Sequence, residues 1–380
     1  MKKTIAKQAS HLFRQAIVRT LSAGALALLL ASCSKDEEST VLPGRPAPSP
    51  NPNPNGWLIP ADRVVDGGPG KDGIPSIDNP QFSPVAGIDF LQPTDLVLGI
   101  AIDGDIRAYP HPILDWHEIV NDVIGNTAVA VTYCPLTGTG IGWDRRIDGQ
   151  LTTFGVSGLL YNSNLIPYDR ASDSNWSQML LKSVNGSLTD TDIETWHLVE
   201  TTWTTWREMF PDSRVLNLNT GFQRDYSRYP YGSFRTNHDF LLFAVEPDDS
   251  RLPRKERGLG VLVDAASRFY SLESFDATGV KVVEDALGGV ELVLAGSKAG
   301  NFLVAYQRRL ADDALLTFGP ADDAGPPSAI MTDNEGNQWN LFGEAIAGPR
   351  QGERLEPVNS FMGYWFAWGA FYPGIEIYDR

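Results

Sequence analysis

One thiol and a few histidines are the side chains here whose chemistry could go beyond structure. Cys134 ends an alternating apolar run (Val129, Val131, Tyr133) and is followed by Pro135-Leu136 and the loop Thr137-Gly138-Thr139-Gly140. Thiolate and imidazole ligands suit copper or zinc, so Cys134 with His117, His111 or His238 is a candidate metal set. A blue-copper loop also needs a histidine and a methionine shortly after the cysteine, and residues 135–143 contain neither. The same thiol is a candidate catalytic nucleophile, with His117 or His238 as base and Asp115, Glu118 or Asp122 as the orienting acid. A histidine at hydrogen-bond distance would favour the thiolate, and the glycine-rich loop could offer N–H groups to an oxyanion. Against these stands a buried structural cysteine, a frequent fate for this residue. His117 has its own plain alternative, a helix histidine bonded to a local carboxylate.

A second group offers binding rather than reaction. Arg224, Tyr226, Arg228, Tyr231 and Arg235 form a basic-aromatic patch, with His238 at its end, on an acidic chain. Guanidinium forks recognise carboxylate and phosphate, and tyrosines stack on sugars, so the patch could hold a small ligand or an envelope partner. The alternative is a loop whose arginines pair with the protein's own acids. No P-loop, dinucleotide fingerprint, nucleophile elbow or zinc-protease motif is present. The Asp- and Gly-rich turn at 66–73 lacks the acid spacing of a calcium loop.

The elements that must position these residues read mainly as strands. Leu96–Ile102 is an apolar run, Asp103-Gly104 a hairpin signal and 106–109 the return strand. Residues 113–123 carry apolar side chains near helical spacing and are expected to form a helix. Residues 128–146 read as two strands around the Cys134 corner, and residues 57–95 as irregular lead-in.

The chain also resembles itself. Asp103, Arg107 and Tyr109 recur 161 positions later as Asp264, Arg268 and Tyr270. Trp143-x-Arg145-Arg146 returns as Tyr306-x-Arg308-Arg309, Phe154-Gly155 as Phe318-Gly319, and Asp169 and Trp176 as Asp333 and Trp339. Trp203-x-x-Trp206 with Phe210-Pro211 returns as Trp365-x-x-Trp368 with Tyr372-Pro373. The expectation is an α+β, mainly β fold. It would consist of two tandem-duplicated β-rich halves (96–216 and 258–380) about a pseudo-two-fold axis, each with a Trp-bearing helix near its end. Residues 217–257, which hold the patch, would be an insertion. The tryptophan pairs are expected to pack the core between the copies, and Asp169 and Asp333 to be structural. Residues present in one copy only are the functional candidates. Cys134 aligns with Ser297, and His111 and His117 have no histidine counterpart.

Several stretches resemble the family known as domain of unknown function 3179. They are Arg107-x-Tyr109-Pro110, His117-Glu118-x-x-Asn121-Asp122 and Val131-x-Tyr133-Cys134-Pro135-Leu136. Others are Phe154-Gly155-x-Ser157-Gly158, Tyr168-Asp169-Arg170, Trp176-x-Gln178, Pro230-Tyr231 and the closing Trp365 to Pro373 run. The resemblance spans residue 74 to the C-terminus and implies no established activity. The family pattern has a second cysteine three positions after the first, where this chain has Thr137, which disfavours Cys-x-x-Cys chemistry.

The N-terminus sets the compartment. Lys2, Lys3, Lys7, Arg14 and Arg19 precede a short apolar core at 21–30, too short to span a membrane. Leu30-Ala31-Ser32-Cys33 resembles a bacterial lipobox, which implies a signal peptide over 1–32, cleavage before Cys33 and a lipid on Cys33. The acidic run at 34–38 is similar to the signal that sends some lipoproteins to the cell surface, or it is a solvated start to the tether. Residues 33–56 are rich in Pro and Asn and could extend on the order of 70 Å. The expected place is the cell envelope, at the outer membrane and exposed at the surface if the acidic run is read as a signal. Removing residues 1–32 takes five basic side chains and no acid, so the formal charge moves from −16 to −21. So acidic a chain is a poor nucleic-acid binder.

Overall fold

A hairpin opens the first group of sheets. β1 (Leu96–Ile102) and β2 (Asp105–Pro110) pair antiparallel. Asp103 and Gly104 both adopt positive φ, 49° and 81°, which a two-residue turn of this hand requires. β2 runs directly into α1 (His111–His117), with Pro112 in its first turn, where the missing N–H costs nothing. The structure is a computed structural model that describes residues 56–379 apart from 277, 323 and 324. The leader, Cys33 and nearly all of the tether lie outside the described residues.

The helix expected over 113–123 ends six residues early. Glu118 takes φ +57°, which closes α1, and β3 (Ile119–Ile124) follows as a strand against β4 (Thr127–Cys134). Ile119, Val120, Val123 and Ile124 are β-branched and favour extended backbone. Pairing with β4 resolves a spacing compatible with either element. β5 (Thr139–Asp144) pairs with β4 across the Cys134 corner, with Cys134 opposite Thr139.

The remaining labelled elements are β6 (Phe154–Tyr161), β7 (Asn164–Asp169), β8 (Asn175–Ser177), β9 (Lys182–Asn185), β10 (Val199–Thr202), α2 (Trp203–Met209) and β11 (Arg214–Leu216). Then come β12 (Arg257–Val263), β13 (Ala266–Ser271), β14 (Lys281–Leu287), β15 (Val290–Ser297) and β16 (Phe302–Gln307). The chain closes with β17 (Phe318–Pro320), β18 (Ala329–Asp333), β19 (Gln338–Asn340), β20 (Ala345–Ala347), β21 (Asn359–Tyr364), α3 (Trp365–Phe371) and β22 (Glu376–Ile377). The fold is α+β and mainly β.

Three sheets built from residues before 217 have counterparts after 256. The order β10-β1-β2-β11 matches β21-β12-β13-β22, β3-β4-β5 matches β14-β15-β16, and β6-β7-β8-β9 matches β17-β18-β19-β20. Strand directions agree too, since β11 lies parallel to β2 and β22 parallel to β13. Short strands at Val64–Asp66 and Phe82–Pro84, in the lead-in, extend two of the earlier sheets. Polar staples also correspond. Arg107 Nη1 and Tyr109 Oη donate to Asp122 at 2.7 and 2.6 Å, and Arg268 and Tyr270 donate to Asp285 at 2.6 Å each. Asp169 accepts the Trp176 indole N–H at 3.1 Å and Asp333 that of Trp339 at 2.9 Å, the structural role expected of both acids.

The tryptophan helices pack the core. Thr202 caps α2 by accepting from Thr205 N. Trp206 packs in one apolar cluster with Val293, Phe302, Tyr306 and Phe342. Trp365 and Trp368 of α3 pack with Cys134, Leu136 and Trp143. Each helix therefore buries its aromatics partly against strands from the other end of the sequence. Each such ring removes ~200 Å² from water, gross stabilisation of about 5 kcal/mol. Residues 217–256 contain neither helix nor strand. They are organised by the buried Lys255 ammonium, which donates to the carbonyls of Phe234, Asn237 and Phe240. Burial pushes the Lys255 pKa down to about 8.

Candidate functional site

Cys134 is sealed in the interior, 1% exposed. Its Sγ faces Ser163 O at 3.6 Å. Burial, with Glu118 nearby, pushes the thiol up to about 11 against weaker opposition from Thr137 hydrogen bonds. The thiol is protonated at neutral pH. Thr137 is also buried and belongs to a polar network: its Oγ1 meets Thr139 Oγ1 at 2.8 Å and accepts from Asn164 Nδ2 at 2.9 Å. Gln178 continues the network to Thr132 at 2.9 Å. The corner is held by matched hydroxyls and amides.

His117 has both ring nitrogens engaged. Pro75 O can only accept, so Nδ1 donates to it at 2.7 Å. Nε2 then accepts from Tyr226 Oη at 2.7 Å, and Thr220 Oγ1 in turn meets that hydroxyl at 2.6 Å. Burial lowers the His117 pKa, consistent with this neutral tautomer. His238 is exposed in the 217–256 segment. His111 lines a cleft described below. Among the described residues no three His, Cys, Asp or Glu side chains are placed to hold a metal ion.

The basic-aromatic patch is tied to α1. Arg235 Nη2 donates to the buried Asp115 at 2.5 Å and stacks 3.7 Å from the Tyr229 ring centre. Tyr231 Oη donates to Glu118 at 3.0 Å. Burial raises the Glu118 carboxyl to about 7. Arg228 accepts the Trp116 indole N–H through its carbonyl at 3.0 Å, and the Arg224 guanidinium sits 6.0 Å from the Trp116 ring centre. Arg235 thus pairs with one of the protein's own acids, and Tyr226 and Tyr231 tie the segment to the end of α1.

The arrangement with most chemistry left over is a cleft beside α1. A cavity of about 250 Å³ is lined by Asp95, His111, Tyr133, Arg235, Arg257, Asn301 and Tyr364, among others. A neighbouring cavity of about 200 Å³ shares Asp95, Pro112 and Arg235 and adds Phe90, Asp115 and Tyr229. Glu200, on β10, lines neither cavity and is 4% exposed, but it bonds two residues that line the first. Its Oε1 accepts from Arg257 and, at 3.0 Å, from Asn301. Its Oε2 lies 3.3 Å from His111 Nε2. Burial alone would raise the Glu200 pKa, but the Arg257 charge, with hydrogen bonds from His111 and Arg257, holds it at about 2. The His111 ring lies 4.3 Å from that of Tyr133.

Three buried polar atoms around this cleft have no hydrogen-bond partner, Asp115 Oδ1, Tyr229 Oη and Arg257 Nε, and His111 Nε2 and Glu200 Oε2 have only each other at 3.3 Å. Buried polar groups are overwhelmingly paired in folded proteins, so this concentration makes the cleft the candidate site. The two cavities bring together His111, Asp115, Tyr226, Arg228 and Arg235 from the sequence candidates. They leave Cys134 and His117 in separate hydrogen-bonded settings. Glu200, Arg257, Asn301, Tyr133 and Tyr364 were not singled out by sequence. One signal existed: β10 places Glu200 opposite Leu98, whereas β21 places Met362 opposite Leu259. A buried acid therefore stands where the corresponding strand is apolar.

The class shown is a mainly-β fold, with a polar cleft where α1, β12 and the 217–256 segment meet. The chain belongs to the family described as protein of unknown function DUF3179, whose model matches residues 71–375. No curated protein and no solved structure matches it significantly.

Proposed function

We propose that this is a lipid-anchored envelope protein that binds a small ligand in the cleft between α1, β12 and the 217–256 segment. The concentration of unpartnered buried polar atoms at that one place carries the reading. Its members come from α1 (Asp115), β12 (Arg257) and the 217–256 segment (Tyr229). A site assembled from distant segments on packed sheets is preorganised, the usual condition for small-molecule recognition. We also propose that residues 96–216 and 258–380 are tandem copies about a pseudo-two-fold axis. The matched strand orders and the paired Arg-Tyr-Asp and Asp-Trp staples support this. Under that reading His111 and Glu200 are departures of the first copy. Anchoring rests on the lipobox-like Leu30-Ala31-Ser32-Cys33 and the short apolar stretch before it. A metal or thiol role for Cys134 has less support, because the thiol is buried and protonated and the ring nitrogens of His117 are already bonded.

One experiment tests both parts. The full chain and its Cys33→Ser variant are produced in cells, and membrane and soluble fractions are compared. The full chain should stay with membranes and the variant should not; equal partition would overturn the anchor. Native mass spectrometry of the released variant should show a bound small molecule whose occupancy falls with Arg235→Ala. A ligand retained in full by Arg235→Ala would place the site elsewhere.

A further inference from the structure

We infer that this cleft takes a free α-amino acid in its zwitterionic form; the inference rests on the cleft being the ligand site. Two side chains of opposite charge, Arg235 and Asp95, line both cavities, and they do not bond each other. Arg235 carries five N–H groups. Nη2 donates to the buried Asp115 at 2.5 Å, and among the described residues Nε and Nη1 are unbonded. The side chain is 40% exposed. The ring centre of Tyr229 lies 3.7 Å from the guanidinium carbon. The Asp115 bond and the ring together fix the plane of the guanidinium and leave part of its edge for a ligand. Such a planar fork takes a carboxylate through two parallel bonds.

Asp95 supplies the other sign. It is half-buried just before β1. Its backbone carbonyl accepts from Trp203 N at 2.7 Å and its Oδ2 from Gln92 N at 2.8 Å, so the side chain is held in place. Among the described residues it has no ion-pair partner. An ammonium group, with three donors and no acceptor, fits the free part of this carboxylate.

Charge balance favours a ligand that carries both signs. Apart from His111, the charged groups are Arg228, Arg235 and Arg257 against Asp95 and Asp115 at the cavities, with Glu200 paired to Arg257. That is three of each sign. A carboxylic acid alone would leave Asp95 without a counter-charge, and an amine alone would leave the unbonded N–H groups of Arg235 unused. A peptide holds its ammonium and carboxylate a chain length apart. A single α-amino acid carries both on one carbon and can bridge Asp95 and Arg235. Its side chain has room as well. The first cavity is about 250 Å³, the space of roughly eight waters at ~30 Å³ apiece. Leu96, Pro112 and the rings of Tyr133 and Tyr364 line it and suit an apolar side chain.

The test uses the released Cys33→Ser chain and ligand-detected NMR titration. The probes are glycine, alanine, serine, leucine and phenylalanine, followed by the N-acetyl and amide derivatives of the tightest binder. The expected result is saturable binding of at least one amino acid. Each derivative, which lacks one of the two charges, should bind roughly 10- to 100-fold more weakly, the loss of a charge-assisted hydrogen bond. Asp95→Asn keeps an acceptor for Gln92 N and should fold as the parent does. It should weaken the free amino acid to a similar extent and leave the N-acetyl derivative unchanged, a split that a general structural defect would not produce. Equal affinity for the free amino acid in Asp95→Asn overturns the inference, as does a derivative that binds as tightly as the free amino acid. Absence of binding by every probe also overturns it. The native mass measurement then separates the two failures: a different bound molecule lost in Arg235→Ala leaves the ligand site standing, and no bound molecule removes the site as well.

Discussion

Glu200 concentrates the electrostatics of the cleft in one side chain. It is buried, yet Arg257 and His111 keep it ionised, with its pKa held at about 2. A carboxyl whose pKa is lower in the folded chain than in the unfolded chain adds stability that is present above the unfolded value. That stability is lost as pH falls toward the folded value. A drop from the ordinary 4.5 to about 2 corresponds to ~3 kcal/mol. Glu200→Gln should therefore be less stable than the parent near neutrality by about that amount. The gap should close between pH 5 and pH 2 in urea unfolding followed by circular dichroism. A gap that does not change with pH would show that Glu200 is not held by these charges. His111, its neighbour, was legible from sequence because the corresponding segment has no histidine. Ligand chemistry makes it a metal candidate with Cys134, whereas the structure sets it against Glu200. Ligand type does not encode distance across a fold.

At the level of elements, local chemistry was readable where it acted alone. The strand at Leu96–Ile102, its Asp103-Gly104 turn and the paired strands on either side of Cys134 follow from alternation and turn residues. The end of α1 did not, because residues 113–123 satisfy both spacings and only the pairing of β3 with β4 decides between them. The cleft was less legible still: it is assembled by β10, β12 and the 217–256 segment, which are far apart in sequence. The contact between each tryptophan helix and its hairpin was half visible, in the Trp-x-x-Trp repeats but not in their partners. Those partners are glycines. A Cβ on Gly99 would lie 2.1 Å from Trp206 Cζ3, and one on Gly260 2.2 Å from Trp368 Cζ2. Gly99→Ala and Gly260→Ala should each cost about 1–3 kcal/mol through overpacking, measured by urea unfolding. Gly319→Ala, which meets nothing within 4 Å, should stay within about 0.5 kcal/mol of the parent. Equal effects at all three positions would mean that the helices are not seated on these strands.

For the molecule as a whole, the corresponding strand orders invite a picture of two domains in a row, and the packing argues against it. α2 buries Trp206 among β15, β16 and Phe342, and α3 buries Trp365 and Trp368 beside Cys134, Leu136 and Trp143. Backbone bonds cross in matching places: Tyr364 N donates to Thr137 O at 2.9 Å and Thr202 N to Gly300 O at 3.0 Å. Tyr372 Oη adds a bond to Met179 O at 2.5 Å. Each half keeps one apolar cluster of its own, around Leu98, Tyr109 and Val131 or around Leu259, Tyr270 and Leu294, but its tryptophan helix sits in a cluster that draws on both halves. Separating the chain between Glu256 and Arg257 would uncover the faces of both helices that the other half covers and unpair those carbonyls, a loss to be set against the 5–15 kcal/mol by which domains are stable. The intact chain should therefore unfold in one thermal transition. Residues 57–256 and 257–380 expressed separately should lack cooperative unfolding and dispersed amide NMR signals, and mixing them should restore both. A separately expressed half that melts cooperatively would show that the exchanged helices are an ornament on two self-sufficient domains.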